Sequence, residues 1–156
     1  MASERTYFIY PTPMGRITLA SDGRSLTRLA YGAVELSGTK APTALTNEAA
    51  NQIQEYLAGK RTRFDLPLAP EGTAFQKQVW RALEDIPYGQ TRSYQQVAEA
   101  IGNPRAMRAV GGANNKNPLP ILIPCHRVIG ANGDLVGYAS GLQIKRFLLD
   151  LEAKNR

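Results

Sequence analysis

The only cysteine and the only histidine of this chain stand side by side, in the stretch IPCHRVIG at residues 123–130. A thiolate is a strong nucleophile, and a neighbouring positive charge or base lowers the pKa of a thiol. His126 and Arg127 follow Cys125 directly, and Pro120 and Pro124 restrict the chain before it. The stretch therefore predicts nucleophilic chemistry at Cys125.

The order of these residues limits how they can cooperate. Neighbouring side chains on an extended chain point to opposite faces, so His126 can reach the sulfur only through a turn at Cys125 or a bridging water. A carboxylate from elsewhere must orient the imidazole, and Glu152 is one candidate. The alternative is structural, with Cys125 as a small buried hydrophobe and His126 as a satisfied core group, because free cysteine is often buried.

Composition narrows the class of protein. One cysteine cannot form an internal disulfide, and one cysteine with one histidine cannot form a thiolate-rich zinc site. No apolar run approaches the roughly 18 residues of a membrane span, and the amino terminus lacks the pattern of a secretory signal. We therefore expect a cytoplasmic protein of the reducing compartment, with no membrane association, no metal and no cofactor.

Charge and its distribution indicate an acidic partner. The net charge is +6, and residues 86–133 carry five basic side chains against Glu99 alone. Such a segment fits a nucleic-acid-binding surface, although a solvated basic face is the alternative.

The first half of the chain predicts strands and one helix. YFIY, RITLAS and LTRLAY read as strands separated by the turns PTPMG and SDGRS. A loop then leads to a helix from about Thr46 to Ala58, which Gly59 ends. The Pro-bearing connector at residues 60–72 is the candidate boundary between an amino-terminal domain, 1–70, and a carboxy-terminal domain, 71–156.

The second half predicts helices. Capping boxes start one helix at Thr73 with Gln76 and another at Ser93 with Gln96. Asn103 is expected to cap a third helix with Pro104 at its first position. The last two helices, joined by a short turn, form a helix-turn-helix pattern. The ILI run between the two prolines predicts a short buried extended segment.

The third helix, PRAMRAVGGANN, is unusual because its small residues cannot read bases by hydrogen bonds. Small residues let a backbone approach another surface closely, and Arg108 could then insert into it. The alternative is tight packing against another helix.

These segments resemble the O6-alkylguanine-DNA alkyltransferase family. The resemblance runs through GTAFQKQVW, IPYGQTRSYQQVAEAIGNPRAMRAVGGANNKNPLPILIPCHRVIG and GYASGLQIKRFLLDLE, and more loosely through TPMGRITLA and FDLPL. It implies an α+β fold. The amino-terminal domain is expected to be a small three-stranded antiparallel sheet with helices, like ribonuclease H in outline, and the carboxy-terminal domain to be mostly helical.

The resemblance also implies the activity. The protein is expected to move the alkyl group from O6-alkylguanine in double-stranded DNA onto its own Cys125, irreversibly and once per molecule. The base is flipped through the minor groove, and O4-alkylthymine is a further candidate substrate. We expect a monomer, and cooperative binding along DNA stays open.

Site residues follow from the resemblance position by position. The catalytic set is Cys125, His126, Glu152, Asn117 and Tyr94. The DNA-binding set is Arg108, Tyr94, Gln95, Ala109, Gly111 and Gly112. The pocket for the base and its alkyl group is formed by Pro120, Val128, Tyr138, Ala139 and Ser140, of which Ser140 stands where many members have glycine.

Three other functions stay open from the residues. A Cys–His–Glu hydrolase would use Cys125 for acyl transfer and would need an oxyanion hole. A lesion sensor would flip alkylguanine without reacting, and a plain DNA-binding regulator would not need the cysteine.

Overall fold

The computed structural model describes residues 4–136, 138 and 140–156, and the fold divides into two units between Glu71 and Gly72. No helix in the described part of the chain is long and apolar enough to cross a membrane.

The first unit contains a four-stranded sheet in the order β3-β2-β1-β4. Its strands are β1 Thr6–Tyr10, β2 Ile17–Ser21, β3 Leu26–Tyr31 and β4 Thr39–Lys40. The first three pair antiparallel, as predicted, with Ile17 opposite both Tyr10 and Tyr31. The Asp22 carboxylate closes the turn before β3 by accepting hydrogen bonds from the backbone amides of Arg24 and Ser25.

The predicted count of three strands is wrong because β4 pairs parallel to β1. The pairing extends at both ends, where Thr39 N–H donates to the Arg5 carbonyl and Ala41 N–H to the Tyr7 carbonyl. Gly38 makes this approach possible, since its φ is 103° and a Cβ there would overlap the Arg5 carbonyl. A two-residue strand leaves no alternating pattern, so its sequence resembles a loop.

One long helix, α1 Ala44–Leu57, packs on this sheet with Ile53 and Tyr56 fully buried. It begins two residues before the predicted start because Thr43 and Thr46 form a reciprocal capping box. It ends as predicted, since Gly59 follows in the left-handed region at φ 76°.

The second unit is mostly helical, and the predicted α+β fold with a helix-turn-helix is confirmed. Its helices are α2 Ala74–Glu84, α3 Tyr94–Ala100, α4 Met107–Asn115 and α5 Leu142–Asn155. Its strands, β5 Arg92–Ser93 and β6 Val128–Ile129, pair parallel. Both predicted capping boxes are present, at Thr73 with Gln76 and at Ser93 with Gln96.

The predicted start of the third helix is wrong. Helix α4 begins at Met107 without a side-chain cap, and residues before it form a turn closed by Ala106 N–H on the Asn103 carbonyl. Gln95 of α3 explains the difference, because its Nε2 donates to the Pro104 carbonyl at 3.0 Å. The Pro104 carbonyl is therefore bound by α3, and the helical hydrogen bonds of α4 begin after it.

The segment before the cysteine is buried as predicted, but it is a turn and not extended. Ile123 N–H donates to the Leu119 carbonyl at 2.8 Å, and Ile121 has a φ of 72°. A β-branched residue in the left-handed region is strained, by about 1–3 kcal/mol. The packed surroundings of Ile121, which is 1% exposed, hold it there.

Trp80 links α2 to the helix that carries Arg108. Its indole Nε1 donates to the Ala113 carbonyl at 2.8 Å, and the ring is 2% exposed. Trp80→Phe removes this donor and part of the ring, so we expect a loss of about 1–3 kcal/mol in the free energy of unfolding. Urea denaturation measures it, with the exposed Lys77→Ala as the control. Equal small losses for both variants would contradict the prediction.

Candidate active site

Cys125 begins a 3₁₀ turn, Cys125–Arg127, that leads directly into β6. Its backbone N–H donates to the Ile123 carbonyl at 2.7 Å, and Arg127 N–H donates to the Pro124 carbonyl at 3.0 Å. The cysteine is 4% exposed. The chain at the predicted nucleophile is thus turned, so Cys125 and His126 do not have the opposed directions of an extended strand.

His126 and Glu152 form a buried pair. His126 Nε2 lies 2.8 Å from Glu152 Oε2, and the two side chains are 0% and 1% exposed. Arg127 also binds this carboxylate, with Nε on Oε1 and Nη2 on Oε2, each at 2.8 Å. Gly89 N–H donates to Oε1 at 3.1 Å. One carboxylate from α5 therefore holds both residues that follow the cysteine.

The electrostatics favour a neutral imidazole. Burial lowers the pKa of His126, and the Glu152 carboxylate opposes this shift only in part. In the neutral tautomer that donates Nε2–H to Glu152, Nδ1 carries the lone pair. His126 can therefore accept a proton at Nδ1.

Burial raises the pKa of the Cys125 thiol, and this reverses the expectation drawn from its neighbours. Arg127 does not act on the sulfur as expected, because its guanidinium is paired with Glu152. Hydrogen bonds from the Asn117 and Tyr138 side chains and the charge of Lys145 lower the pKa, but they do not outweigh burial. In the resting protein Cys125 is therefore a protonated, buried thiol.

Asn117 connects the end of α4 to the turn that carries the cysteine. Its Nδ2 donates to the Ile123 carbonyl at 2.8 Å, and its Oδ1 accepts from Leu119 N–H at 2.9 Å. Both ends of the amide are thus used within the segment that precedes Cys125, so Asn117 fixes the path of that segment.

Tyr94 lies at the start of α3, directly after β5, which pairs with β6. Its hydroxyl donates to the Val136 carbonyl at 3.0 Å. Burial raises the pKa of Tyr94, and proximity to Cys125 raises it further. The sheet pair β5–β6 thus positions Tyr94 near the cysteine, with its proton retained.

The predicted DNA-binding residues lie on α3 and α4. Arg108 and Ala109 are exposed in the first turn of α4, and Gly112 is exposed one turn later. Gly111 faces Tyr94, since a Cβ there would lie 3.8 Å from its ring. Gln95 is instead used inside the helix-turn-helix, where it holds the Pro104 carbonyl.

The predicted pocket residues differ in their exposure to solvent. Pro120 and Val128 are buried, Tyr138 is 9% exposed, and Ser140 is exposed. Ala139 lies outside the described residues.

The sequence reasoning missed two buried residues beside the cysteine. Asn114, 2% exposed, donates from Nδ2 to the Cys125 carbonyl at 3.3 Å. Lys145, 0% exposed, donates from Nζ to the Val136 carbonyl at 2.7 Å. The buried face of α5 is formed by Lys145, Leu148 and Glu152. In the sequence, the signal was that two charged residues occur at the helical spacing of the apolar face.

Together these features define a class, a helix-turn-helix unit that carries a buried cysteine beside a His–Glu pair. Two family models match the chain. The 6-O-methylguanine DNA methyltransferase ribonuclease-like domain matches residues 6–70, and the DNA binding domain of the same family matches residues 74–154.

Relatives and solved structures agree with these matches. Methylated-DNA–protein-cysteine methyltransferase of Methanosarcina acetivorans is 52% identical, covering 94% of this chain and 97% of its own. The constitutive Bacillus subtilis protein of that name is 47% identical, with 94% of each chain covered. The structure of Mycobacterium tuberculosis OGT in complex with DNA superposes with a TM-score of 0.90 at 45% identity, covering 96% of this chain and 94% of that one. The chain belongs to the 6-O-methylguanine DNA methyltransferase family.

Glu152→Gln tests the shared carboxylate. The substitution removes the charge that balances the buried Arg127 guanidinium, so we expect a loss of about 3–5 kcal/mol in the free energy of unfolding. Chemical denaturation followed by circular dichroism measures it. Asp150→Asn, on the exposed side of the same helix, is the matched control and should change stability by less than about 0.5 kcal/mol. A Glu152→Gln protein as stable as the control would contradict the network.

Proposed function

We propose that this protein repairs DNA by direct reversal, transferring the alkyl group of O6-alkylguanine to Cys125. The observation that carries the proposal is the buried thiol of Cys125 on a turn whose next residue, His126, is hydrogen-bonded to Glu152. This group lies in the unit that matches the family's DNA binding domain, and the similar proteins are named methylated-DNA–protein-cysteine methyltransferases.

The chemistry is a single displacement. The Cys125 sulfur donates an electron pair to the alkyl carbon, a C–S bond forms, and the bond from that carbon to O6 breaks. The electron pair of the broken bond stays on guanine, which takes up one proton. The thiol loses one proton, so charge and protons balance between S-alkylcysteine and restored guanine. Because the thioether releases no thiolate, each molecule acts once.

The proton on the thiol must leave before or during attack. Neutral His126 accepts it at Nδ1 through a bridging water, and the Glu152 carboxylate stabilises the imidazolium that results. Glu152 remains ionised throughout because Arg127 holds it with two hydrogen bonds. The pair thus acts as a base although the resting thiol is protonated.

Two other side chains complete the reaction. The Tyr94 hydroxyl retains its proton at neutral pH and donates it to guanine N3 as negative charge develops on the leaving base. It must first release the Val136 carbonyl. Asn117 holds the turn before Cys125 through its bonds to Ile123 and Leu119, and its side chain lowers the pKa of the Cys125 thiol, so it positions the nucleophile toward the alkyl carbon.

Double-stranded DNA is the partner that the second unit fits. The exposed face of α4 combines small residues, Ala109 and Gly112, with the Arg108 guanidinium. Such a helix approaches the minor groove closely without reading sequence, and Arg108 fills the space of the flipped nucleotide. An M. tuberculosis neighbour that superposes over nearly the whole chain was solved in complex with DNA.

The remaining assignments follow from this scheme. The domain of residues 71–156 binds DNA and accepts the alkyl group, through a pocket formed by Pro120, Val128, Tyr138, Ala139 and Ser140, and residues 1–70 form a structural domain. One copy contains the whole catalytic set, so the protein acts as a monomer, in a reducing cytoplasm that keeps Cys125 as a thiol.

Cys125→Ser tests the proposal. A serine hydroxyl is a far weaker nucleophile than a thiolate, so transfer from an O6-methylguanine duplex should fall below detection. The substitution alters one buried atom, so affinity for the duplex should change by less than about threefold, under 1 kcal/mol. Radiolabelled methyl transfer and fluorescence anisotropy measure the two quantities.

The undamaged duplex is the control for binding. Methyl transfer retained by Cys125→Ser would refute the nucleophile. Full binding without transfer by the unaltered protein would instead indicate a lesion sensor.

Arg108→Ala tests base flipping. The inserted guanidinium offsets part of the few kcal/mol that extrusion costs, so the rate in duplex should fall at least about tenfold. The rate with free O6-benzylguanine, which needs no flipping, should stay the same. Arg105→Ala, an exposed arginine in the preceding turn, is the matched control and should affect duplex repair less. Equal losses on duplex and free base would rule out the inserted role.

A further inference from the structure

Helix α5 buries a cation and exposes apolar side chains. Lys145 is 0% exposed, whereas Leu142 is 48% and Phe147 43% exposed on the same helix. Burying an ammonium group costs several kcal/mol unless it is paired, and exposing large apolar groups forgoes favourable burial. A helix selected for stability alone would have the opposite arrangement, so the buried position of Lys145 requires another explanation.

A buried cation normally has an acidic partner, and the described residues place none beside Lys145. Its Nζ donates to the Val136 carbonyl at 2.7 Å. Within the described part of the chain, no carboxylate lies within ion-pair distance of Nζ. Glu152, about two turns further along the same helix, is instead bound to His126 and Arg127.

The surroundings of the ammonium group lead to the cysteine. The Val136 carbonyl that binds Lys145 also accepts the Tyr94 hydroxyl, at 3.0 Å. Two residues further on, the Tyr138 side chain acts on Cys125 and lowers the pKa of its thiol. Lys145 and Cys125 act on each other electrostatically, and Lys145 also acts on His126. The titratable groups described near the sulfur are therefore the Tyr94 and Tyr138 hydroxyls, the His126 imidazole and the Lys145 ammonium.

We propose that the buried Lys145 ammonium, which has no carboxylate partner among the described residues, stabilises the Cys125 thiolate in the reaction. This inference rests on the proposed function of Cys125 as the alkyl acceptor. Proton transfer to His126 leaves the thiolate beside an imidazolium, and Lys145 adds a second cation that is already present before the proton moves. Arg127 cannot supply this cation because Glu152 neutralises it.

The protonation state of Lys145 is suited to this role. Burial lowers its pKa to about 8, and the neighbouring Cys125 opposes that shift. Below pH 8 the side chain is mainly a cation. Attraction between two groups is reciprocal, so Lys145 lowers the pKa of Cys125 as much as the thiolate raises that of Lys145.

The single cysteine makes the test direct. Protein labelled with [13Cβ]cysteine gives one cysteine resonance, and its shift with pH reports the pKa of Cys125 without any reagent entering the site. We expect Lys145→Gln, which keeps an N–H donor without the charge, to raise that pKa by about one unit or more. Methyl transfer near pH 7 should then fall about tenfold and recover as the pH rises through the new pKa.

Three further variants separate charge from packing. Lys145→Arg retains the charge and should keep the pKa of Cys125 near its original value, while Lys145→Met should match Lys145→Gln. Lys154→Gln, at an exposed position of α5, should change neither quantity. An unchanged cysteine pKa in folded Lys145→Gln, or an equal loss of rate at every pH, would overturn the proposal.

A measurement on the unaltered chain covers the case in which the variants fold poorly. With [13Cε]lysine labelling, the ionisation of Cys125 at high pH should shift the Lys145 resonance but not the Lys154 resonance, and this response should disappear once Cys125 is methylated. A Lys145 resonance that does not respond to the ionisation of Cys125 would also overturn the proposal. Neither result depends on the proposed function, which fails separately if the unaltered protein transfers no methyl group.

Discussion

The second unit depends on the hydrogen bonds and ion pairs that the Glu152 carboxylate makes in its interior. This carboxylate accepts hydrogen bonds from the Arg127 guanidinium, the His126 ring and the Gly89 amide, and it comes from α5. Arg127 continues the network to the Ile86 carbonyl, at 2.6 Å. One buried charge therefore joins three segments, which are the loop between α2 and β5, the 3₁₀ turn and α5. An ion pair in this environment stabilises only when every partner is present.

This network explains why the cysteine can be both buried and reactive. Burial keeps the thiol protonated, which protects it in the resting protein. The same burial favours neutral His126, so the base that we propose stands next to the thiol that it would deprotonate. Charge appears at the sulfur only when the proton has moved, and a low-dielectric site then makes nearby donors and the Lys145 ammonium more effective.

The sequence predicts those structural features that depend on residues close together in the chain. Both capping boxes, at Thr73 and Ser93, form as predicted because their partners lie three residues away. The predictions that were wrong concern features that depend on contacts between distant parts of the chain. The start of α4 depends on Gln95 binding the Pro104 carbonyl, and β4 depends on backbone pairing with β1. The turn at Ile121 and the buried Lys145 contradict residue preferences, which is typical of functional sites.

Intact-mass spectrometry of the unaltered protein, mixed with a duplex that contains one O6-methylguanine, tests the central claim most directly. The account predicts a gain of about 14 Da, the mass by which a methyl group exceeds the proton it replaces, because one C–S bond forms. The gain should map to the peptide that contains Cys125 and stop at one group per molecule, however much DNA is added. An unchanged mass, a gain on another residue, or continued turnover with an unmodified Cys125 would contradict it.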